Sequence, residues 1–133
     1  MPEIRSDVNQ FLLESLTAHQ AIDISVYDRV GRFTTDAAAV PCAADETPQF
    51  LFMESADADA PVRVAFLGMG QVQLALSGNG SAGQKLSAGA NGVVVASATA
   101  ENAQMDADDF GVALQDWTDA DETECFIYKG DSV

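Results

Sequence analysis

The chain has 133 residues and a mass of 14.0 kDa, which suits one domain of ordinary size with a buried hydrophobic core. Its 6 Lys and Arg against 21 Asp and Glu give a net charge of −15, which excludes binding to nucleic acid or anionic membranes through a basic surface. Because 47% of the residues are hydrophobic, the composition also excludes an intrinsically disordered chain.

The first 20 residues are predicted to form an N-terminal arm. Apolar residues recur there at steps of three and four: Val8, Phe11, Leu12 and Leu16. This spacing predicts an amphipathic helix over residues 7–20, with Asp7 as its N-cap. Such a short helix is marginal by itself, so we expect it to dock on its own domain or on a neighbouring protein. The segment lacks the long apolar run of a signal peptide.

Residues 22–26 alternate between apolar and polar side chains, which predicts a half-buried strand. The next stretch, residues 34–48, contains a run of alanines, two prolines and two acidic residues. This composition favours a connection between elements over an element of its own.

From residue 49 onward the pattern is that of β-structure. Strands are predicted at residues 49–53, 62–67, 71–76, 93–97, 110–116 and 125–128. In the fifth of these, Phe110, Val112 and Leu114 form the expected dry face. Asn79-Gly80 and Asn91-Gly92 predict tight turns. The fold is therefore expected to be mainly β: a small barrel-like or sandwich domain over residues 21–133, preceded by a short helical or extended arm. No internal repeat is visible at periods of 20 to 50 residues.

The chemistry-bearing residues predict no catalytic, cofactor or metal site. Cys42 and Cys125 have no second Cys or His at metal-ligand spacing, which excludes a zinc site or a CxxC motif; a disulfide between them stays open beside two free thiols. His19 is the only histidine and lies among polar residues. Residues 78–83 match GxGxxG, but a second turn follows instead of a helix, so we expect no dinucleotide.

Nine acidic residues and no Lys or Arg lie between Lys85 and Lys129. They lack the Gly and Glu positions of a calcium loop, and we expect them to form a solvated acidic face. Lys85 itself suggests an alternative, because lipoyl and biotinyl carrier domains are also small, acidic and rich in β-structure. The flanking Gln84 and Leu86 do not match the carrier motif.

The stretch 70–130 resembles the capsid decoration, or cement, proteins of tailed bacteriophages, in particular the lambda head-decoration-like β domain. The resemblance lies in glycine turns between short strands: Gly70-Gln-Val-Gln-Leu, Ser81-Ala-Gly-Gln-Lys-Leu, Ala90-Asn-Gly-Val-Val-Val-Ala, Phe110-Gly-Val-Ala-Leu-Gln and Cys125-Phe-Ile-Tyr. It implies a structural virion protein, made in the host cytoplasm, that binds the outer surface of the major capsid protein as a homotrimer. It implies no enzymatic activity and no cofactor.

Within this interpretation, we expect six residues to contact the capsid or a sister subunit: Val8, Phe11, Leu12 and Leu16 of the arm, and Arg29 and Arg32. Arg5, Arg29 and Arg32 place half of the basic residues in the first 32 positions, which separates positive from negative charge along the chain. The alternatives are a stand-alone ligand-binding β-module and a lipoyl or biotinyl carrier domain. No partner among nucleic acids or membranes is expected.

Overall fold

The computed structural model describes residues 12–98 and 108–128. They form ten short strands: β1 Leu12–Thr17, β2 Val30–Phe33, β3 Ala39–Pro41, β4 Phe50–Phe52, β5 Pro61–Phe66, β6 Gly70–Ala75, β7 Lys85–Ala88, β8 Val94–Ala96, β9 Gly111–Ala113 and β10 Glu122–Ile127. Every strand pair is antiparallel. The strands make two five-stranded sheets, which confirms the prediction of a mainly β fold.

The first sheet, in the order β1-β5-β4-β2-β3, curls until its two edges meet. Ala18, just after β1, forms a bridge with Ala39 of β3, and the His19 N–H donates to the Ala39 carbonyl at 2.7 Å. Side chains from both edges and from the middle strands share one apolar cluster, so the curl encloses this cluster. Four phenylalanine rings dominate it, with centroid distances of 5.4 to 5.8 Å: Phe33, Phe50, Phe52 and Phe66.

The second sheet, in the order β6-β10-β9-β7-β8, repeats the first strand for strand. Its edges also approach, because the Ser77 N–H donates to the Val94 carbonyl at 2.9 Å. The pairing registers correspond as well. Phe50 faces Phe66 in the first sheet, and Gly111 faces Ile127 at the same place in the second. We call residues 12–67 the first unit and residues 70–128 the second unit.

The correspondence extends into the loops. In the first unit, Ile22 and Ala56 exchange two backbone hydrogen bonds, and in the second unit Gly80 and Trp117 do the same. The left-handed residue before β5, Asp59 with φ 66°, has its counterpart before β10 in Ala120 with φ 67°. The chain therefore contains an internal structural repeat, longer than the periods at which the sequence shows none.

The two units pack face to back. In the first sheet the alternate residues that point away from the enclosed cluster are also buried, at no more than 1% exposure: Val30, Leu51, Met53 and Ala65. They join a second apolar cluster with the side chains enclosed by the second sheet, among them Leu74, Leu86 and Ile127. The convex face of the first unit thus packs against the concave face of the second.

Several sequence predictions need correction. The helix over residues 7–20 is wrong where the structure describes it, because residues 12–17 form strand β1, paired along its whole length with β5. Residues 22–26 form no strand and contribute only the Ile22 bridge to Ala56. The connection predicted at 34–48 contains β3. All six strands predicted after residue 49 are confirmed, while β2 and β7 were not predicted.

Two predicted features of the loops are resolved by the geometry. Asn91 and Gly92 have φ values of 58° and 78°, and the Val93 N–H donates to the Ala90 carbonyl, which confirms a tight turn between β7 and β8. Cys42 and Cys125 are not joined in a disulfide, and both are buried in the cluster between the units. The disulfide that the sequence left open is therefore absent from the structure.

Candidate interaction surface

The predicted contact residues of the N-terminal arm divide between two regions. Val8 and Phe11 lie outside the described residues. Leu12 and Leu16 are both in β1, opposite Phe66 and Val62 of β5. Leu16 is half-buried and packs against the cluster enclosed by the first sheet, so this side chain contributes to the fold.

Arg29 lies at the junction between the two units. Its Nε donates to the Asp23 carbonyl at 2.6 Å and its Nη1 to the Asn91 carbonyl at 2.9 Å. Residue 29 also forms a backbone bridge with Val93. The guanidinium therefore ties the loop before β2 to the turn between β7 and β8.

Arg32 forms an ion pair with Glu46, with 2.9 Å between Nε and Oε1 and side chains that are 40% and 35% exposed. The same carboxylate oxygen accepts the Ala43 N–H at 2.6 Å. The Ala43 N–H and the Arg32 guanidinium lower the pKa of Glu46. Arg29 and Arg32 thus already have partners within the chain, and the structure does not bring them together with β1 at a common contact.

Two acidic side chains fix the loops that join the units. Asp28 is 2% exposed, and its carboxylate accepts the Ala75 N–H at 2.7 Å. Asp119 accepts the Tyr27 hydroxyl at 2.8 Å and the Gly78 N–H at 2.7 Å. The hydrogen bond to Asp119 is the main reason that the pKa of Tyr27 is raised. Both carboxylates stabilise the fold through these hydrogen bonds. Asp119, one of the nine acidic residues expected on a solvated face, is therefore partly a structural residue.

The outward, convex face of the second sheet carries an apolar patch that the sequence analysis did not identify. Val112 of β9 faces Phe126 of β10 across the strand pair, and the Phe126 ring lies 6.4 Å from the Tyr128 ring, centroid to centroid. Leu114, directly after β9, is 44% exposed, while Val112, Phe126 and Tyr128 are half-buried. The dry face expected of Phe110, Val112 and Leu114 is confirmed only at Phe110, which is fully buried; Gly111 and Ala113 are the buried inward pair of β9, and Val112 and Leu114 point outward.

Glu124 lies beside this patch in a fixed position. The Gln73 amide donates to its Oε1 at 2.8 Å, and the Gln71 amide donates to its Oε2 at 3.2 Å. Its backbone carbonyl accepts the Leu114 N–H at 2.8 Å, which places Glu124 opposite Leu114. We call Val112, Leu114, Phe126, Tyr128 and Glu124 the β9–β10 patch. The sequence signal of this patch is the alternation in and after β9, where the small residues Gly111 and Ala113 point inward and the larger Val112 and Leu114 point outward.

Other candidate sites do not come together in the structure. Lys85 lies within β7 and is 9% exposed, unlike the exposed turn lysine that a carrier domain modifies. Residues 78–83 lead into strand β7, so this loop does not open a helix as a dinucleotide-binding loop does. Within 12–98 and 108–128, no three His, Cys, Asp or Glu side chains are grouped so as to hold a metal ion.

Shallow depressions occur on the first unit and at the junction. One of about 390 Å³ is lined by Ala21, Ile22 and Ser55 among others, and one of about 270 Å³ lies around Arg29, Asp23 and Asn91. Both are open to solvent, and the polar groups of Arg29 there already bond within the chain. In the part of the chain that the structure describes, no helix has the length and apolar character needed to cross a bilayer.

Comparison with known proteins identifies the fold. No protein-family model matches the chain, and no curated protein matches its sequence. Among solved structures, the chain is similar to the crystal structure of the head fiber gp8.5 N base of bacteriophage phi29. The two share 13% sequence identity with a TM-score of 0.68, over 92% of this chain and 98% of that one. At this identity the similarity shows a shared fold, and the protein that shares it is a head fiber base rather than a decoration protein.

Proposed function

We propose that this chain is a structural component of a phage head that attaches to the outer surface of the shell. The observation that carries the proposal is the shared fold with a phage head fiber base along nearly the whole of both chains. The resemblance of residues 70–130 to phage decoration proteins supports it independently, because it rests on turn and strand motifs in the sequence. Both lines of evidence lead to proteins on the outside of a phage head.

The interior of the fold supports a non-enzymatic role. Both units are filled mainly by apolar side chains; of the two buried acids, Asp28 accepts a backbone N–H at the junction and Asp109 lies just before β9. The burial of Lys85 argues against the carrier alternative, since a modifying enzyme must reach the amine. The depressions around Arg29 and Ile22 are shallow, which argues against a dedicated small-molecule module.

As the finer part of this proposal, the protein acts as a cement that binds the major capsid protein as a homotrimer. Many copies on a symmetric lattice can stabilise a shell even when each contact is weak, because the contacts are repeated. The resemblance to decoration proteins supports this oligomeric state. The contact assigned to Val8, Phe11, Leu12, Leu16, Arg29 and Arg32 also remains part of the proposal, with the arm before β1 as its chief element.

The proposal is tested with empty shells assembled from the major capsid protein that the same genome encodes. Purified chain is mixed with these shells, the shells are sedimented, and the bound fraction is measured. We expect saturable binding and shells that withstand a higher temperature before they break. Native mass spectrometry of the free chain then measures the trimer. Shells that sediment without the chain at every concentration would contradict the proposed function.

A further inference from the structure

We propose that the β9–β10 patch is the surface by which the second unit contacts its protein partner, and that this partner surface has an apolar centre beside a Lys or Arg. The inference rests on the proposed function, because it identifies the partner as a subunit of the phage shell. It concerns a different part of the chain from the N-terminal arm and the two arginines.

The internal repeat provides the first argument. The positions of Val112, Leu114 and Phe126 in the second unit correspond to Leu51, Met53 and Ala65 in the first, as the strand registers show. All three residues of the first unit are at most 1% exposed, because that convex face packs against the second unit. The same face of this fold is thus already an apolar interface once within the chain.

In the second unit this face is apolar at Val112, Leu114 and Phe126 and carries Lys85 at the position of Val30, and among residues 12–98 and 108–128 no second sheet covers it. Leu114 is 44% exposed where its counterpart Met53 is fully buried. Phe126 replaces the much smaller Ala65 and increases the apolar area that the face offers. Half-buried aromatic side chains that lie together with an exposed leucine and one fixed polar group are typical of the centre of protein interfaces.

A second copy of the chain does not suit this face in the way that the second unit suits the first. The concave side of the first unit is filled by Phe33, Phe50, Phe52 and Phe66, and the concave side of the second is covered by the first. Neither side of another molecule can therefore receive the β9–β10 patch as the second unit receives the first. The occupant must offer a surface of another kind.

The charges around the patch indicate the chemistry of that surface. Glu122 and Glu124 lie on β10, while Lys85 of β7 lies opposite Val112 and is only 9% exposed, and the whole chain carries −15. Two such faces repel each other, whereas a cationic group on a partner is attracted. The amides of Gln71 and Gln73 hold the Glu124 carboxylate in place before binding, which reduces the entropy lost when an ammonium or guanidinium pairs with it.

The test uses the shell-binding measurement with three variants of the full chain. Leu114→Glu places a charge in the patch, and Glu124→Gln removes the carboxylate while keeping its size. Val26→Glu is the matched control, since Val26 is 56% exposed on the loop before β2 and outside the patch. We expect Leu114→Glu to weaken binding about tenfold or more, Glu124→Gln to weaken it severalfold, and Val26→Glu to leave it unchanged. Melting curves of all three confirm that they remain folded.

Each outcome decides one question. If wild type binds and Leu114→Glu binds equally well, this inference is overturned while the proposed function stands. If wild type does not bind the shells at all, the proposed function fails and the inference falls with it. If sedimentation velocity shows that the free chain self-associates and that Leu114→Glu abolishes this, the patch joins copies of the chain and the partner assignment is wrong. Reduced salt sensitivity in Glu124→Gln supports the cationic partner.

Discussion

The indole ring of Trp117 lies directly over the Cα of Gly80, so that a methyl group at position 80 would overlap three carbons of the ring. The two residues also exchange both backbone hydrogen bonds, at 3.1 and 3.0 Å. Trp117 is 4% exposed and belongs to the cluster enclosed by the second sheet. Glycine at position 80 is therefore required by the volume of the indole and not by a left-handed backbone.

We expect Gly80→Ala to destabilise the protein by about 1–3 kcal/mol, since the added methyl group forces the indole or the bridge to shift. Chemical denaturation monitored by the fluorescence of Trp117 measures the change, because this is the single tryptophan of the chain.

The control is the same substitution after the ring has been removed. In a Trp117→Leu background, followed by circular dichroism, Gly80→Ala should cost much less, because the overlapping ring carbons are gone. An equal cost in both backgrounds would mean that the glycine serves the backbone alone.

The same pair of positions explains why the sequence does not reveal the internal repeat. In the first unit the counterparts of Gly80 and Trp117 are Ile22 and Ala56, so large and small side chains are exchanged. Phe50 and Phe52 likewise correspond to Gly111 and Ala113. Opposite them the exchange is reversed, because Gly31 corresponds to Leu86. A Cβ at position 31 would lie only 2.6 Å from the rings of Phe50 and Phe52. The two units share one backbone fold but fill their interiors with side chains of different sizes at corresponding positions. The two halves of the sequence therefore lack the residue identity by which a repeat is recognised.

Cys125 makes the stability of the chain sensitive to alkaline pH. Burial raises the pKa of its thiol to about 12, from 9.0 in the unfolded chain, so the folded state favours the neutral form. The contribution to stability is complete below pH 9 and is lost as the pH rises toward 12. We expect the stability difference between wild type and Cys125→Ala to shrink between pH 8 and pH 10, as measured by denaturant unfolding at each pH. A difference that stays constant would contradict the buried neutral thiol.

The ion pair of Glu46 gives an effect at acid pH. Its lowered folded pKa means that the carboxylate stabilises the fold above its unfolded value of 4.5, and that this contribution is lost as the pH falls further. Both side chains are more than one-third exposed, so we expect Glu46→Gln to cost only about 0.5 kcal/mol at pH 7. The cost should vanish near pH 3 in thermal melts. Asp36→Asn, which removes a carboxylate from an exposed turn, is the control.

Local patterns predicted most of the second unit and little of the first. Several strands after residue 49, such as residues 71–76, show a period of two that indicates a half-buried strand. In β1, by contrast, Leu12 and Leu16 are four residues apart, and this spacing lies on one face of a helix and also on one face of a strand. The pairing with β5 decides between them, and that partner is more than 40 positions away in the sequence. Residues 22–26 fail in the opposite way: the alternation is present, but no neighbouring strand pairs with more than Ile22.

The candidate surfaces depended on the same long-range information. Arg29 and Arg32 are the expected positive residues of the first unit, but their partners Asn91 and Glu46 become neighbours only in the folded chain. The outward direction of Val112 and Leu114 follows from the packing of Gly111 and Ala113 inside the second sheet. The general rule that large apolar residues point inward gives the wrong face for these two residues, since the space inside is already filled by Leu86, Phe110 and Ile127.

Strand β1 limits how the N-terminal arm can be tested. Deleting residues 2–11 leaves all six residue pairs between β1 and β5, so we expect a chain that still unfolds cooperatively. Deleting residues 2–17 removes β1, exposes the edge of β5 and uncovers Val62 and Val64, which are otherwise fully buried. We expect this second chain to aggregate or to melt without a cooperative transition. Circular dichroism melts distinguish the two, and a cooperative melt of the longer deletion would show that β1 is dispensable.

The shorter deletion therefore provides the fair test of the proposed arm contact, since its fold remains while Val8 and Phe11 are gone. If these two side chains are buried against the shell, their loss should weaken binding by tenfold or more, because each large apolar side chain contributes about 1.5–3 kcal/mol when buried. Sedimentation with shells at several concentrations measures the change in affinity.

Combining the deletion with Leu114→Glu then shows whether the two contacts are independent: their free-energy costs should add if the arm and the β9–β10 patch touch separate parts of the shell. Unchanged affinity of the deleted chain would leave the β9–β10 patch as the contact and remove the arm from it.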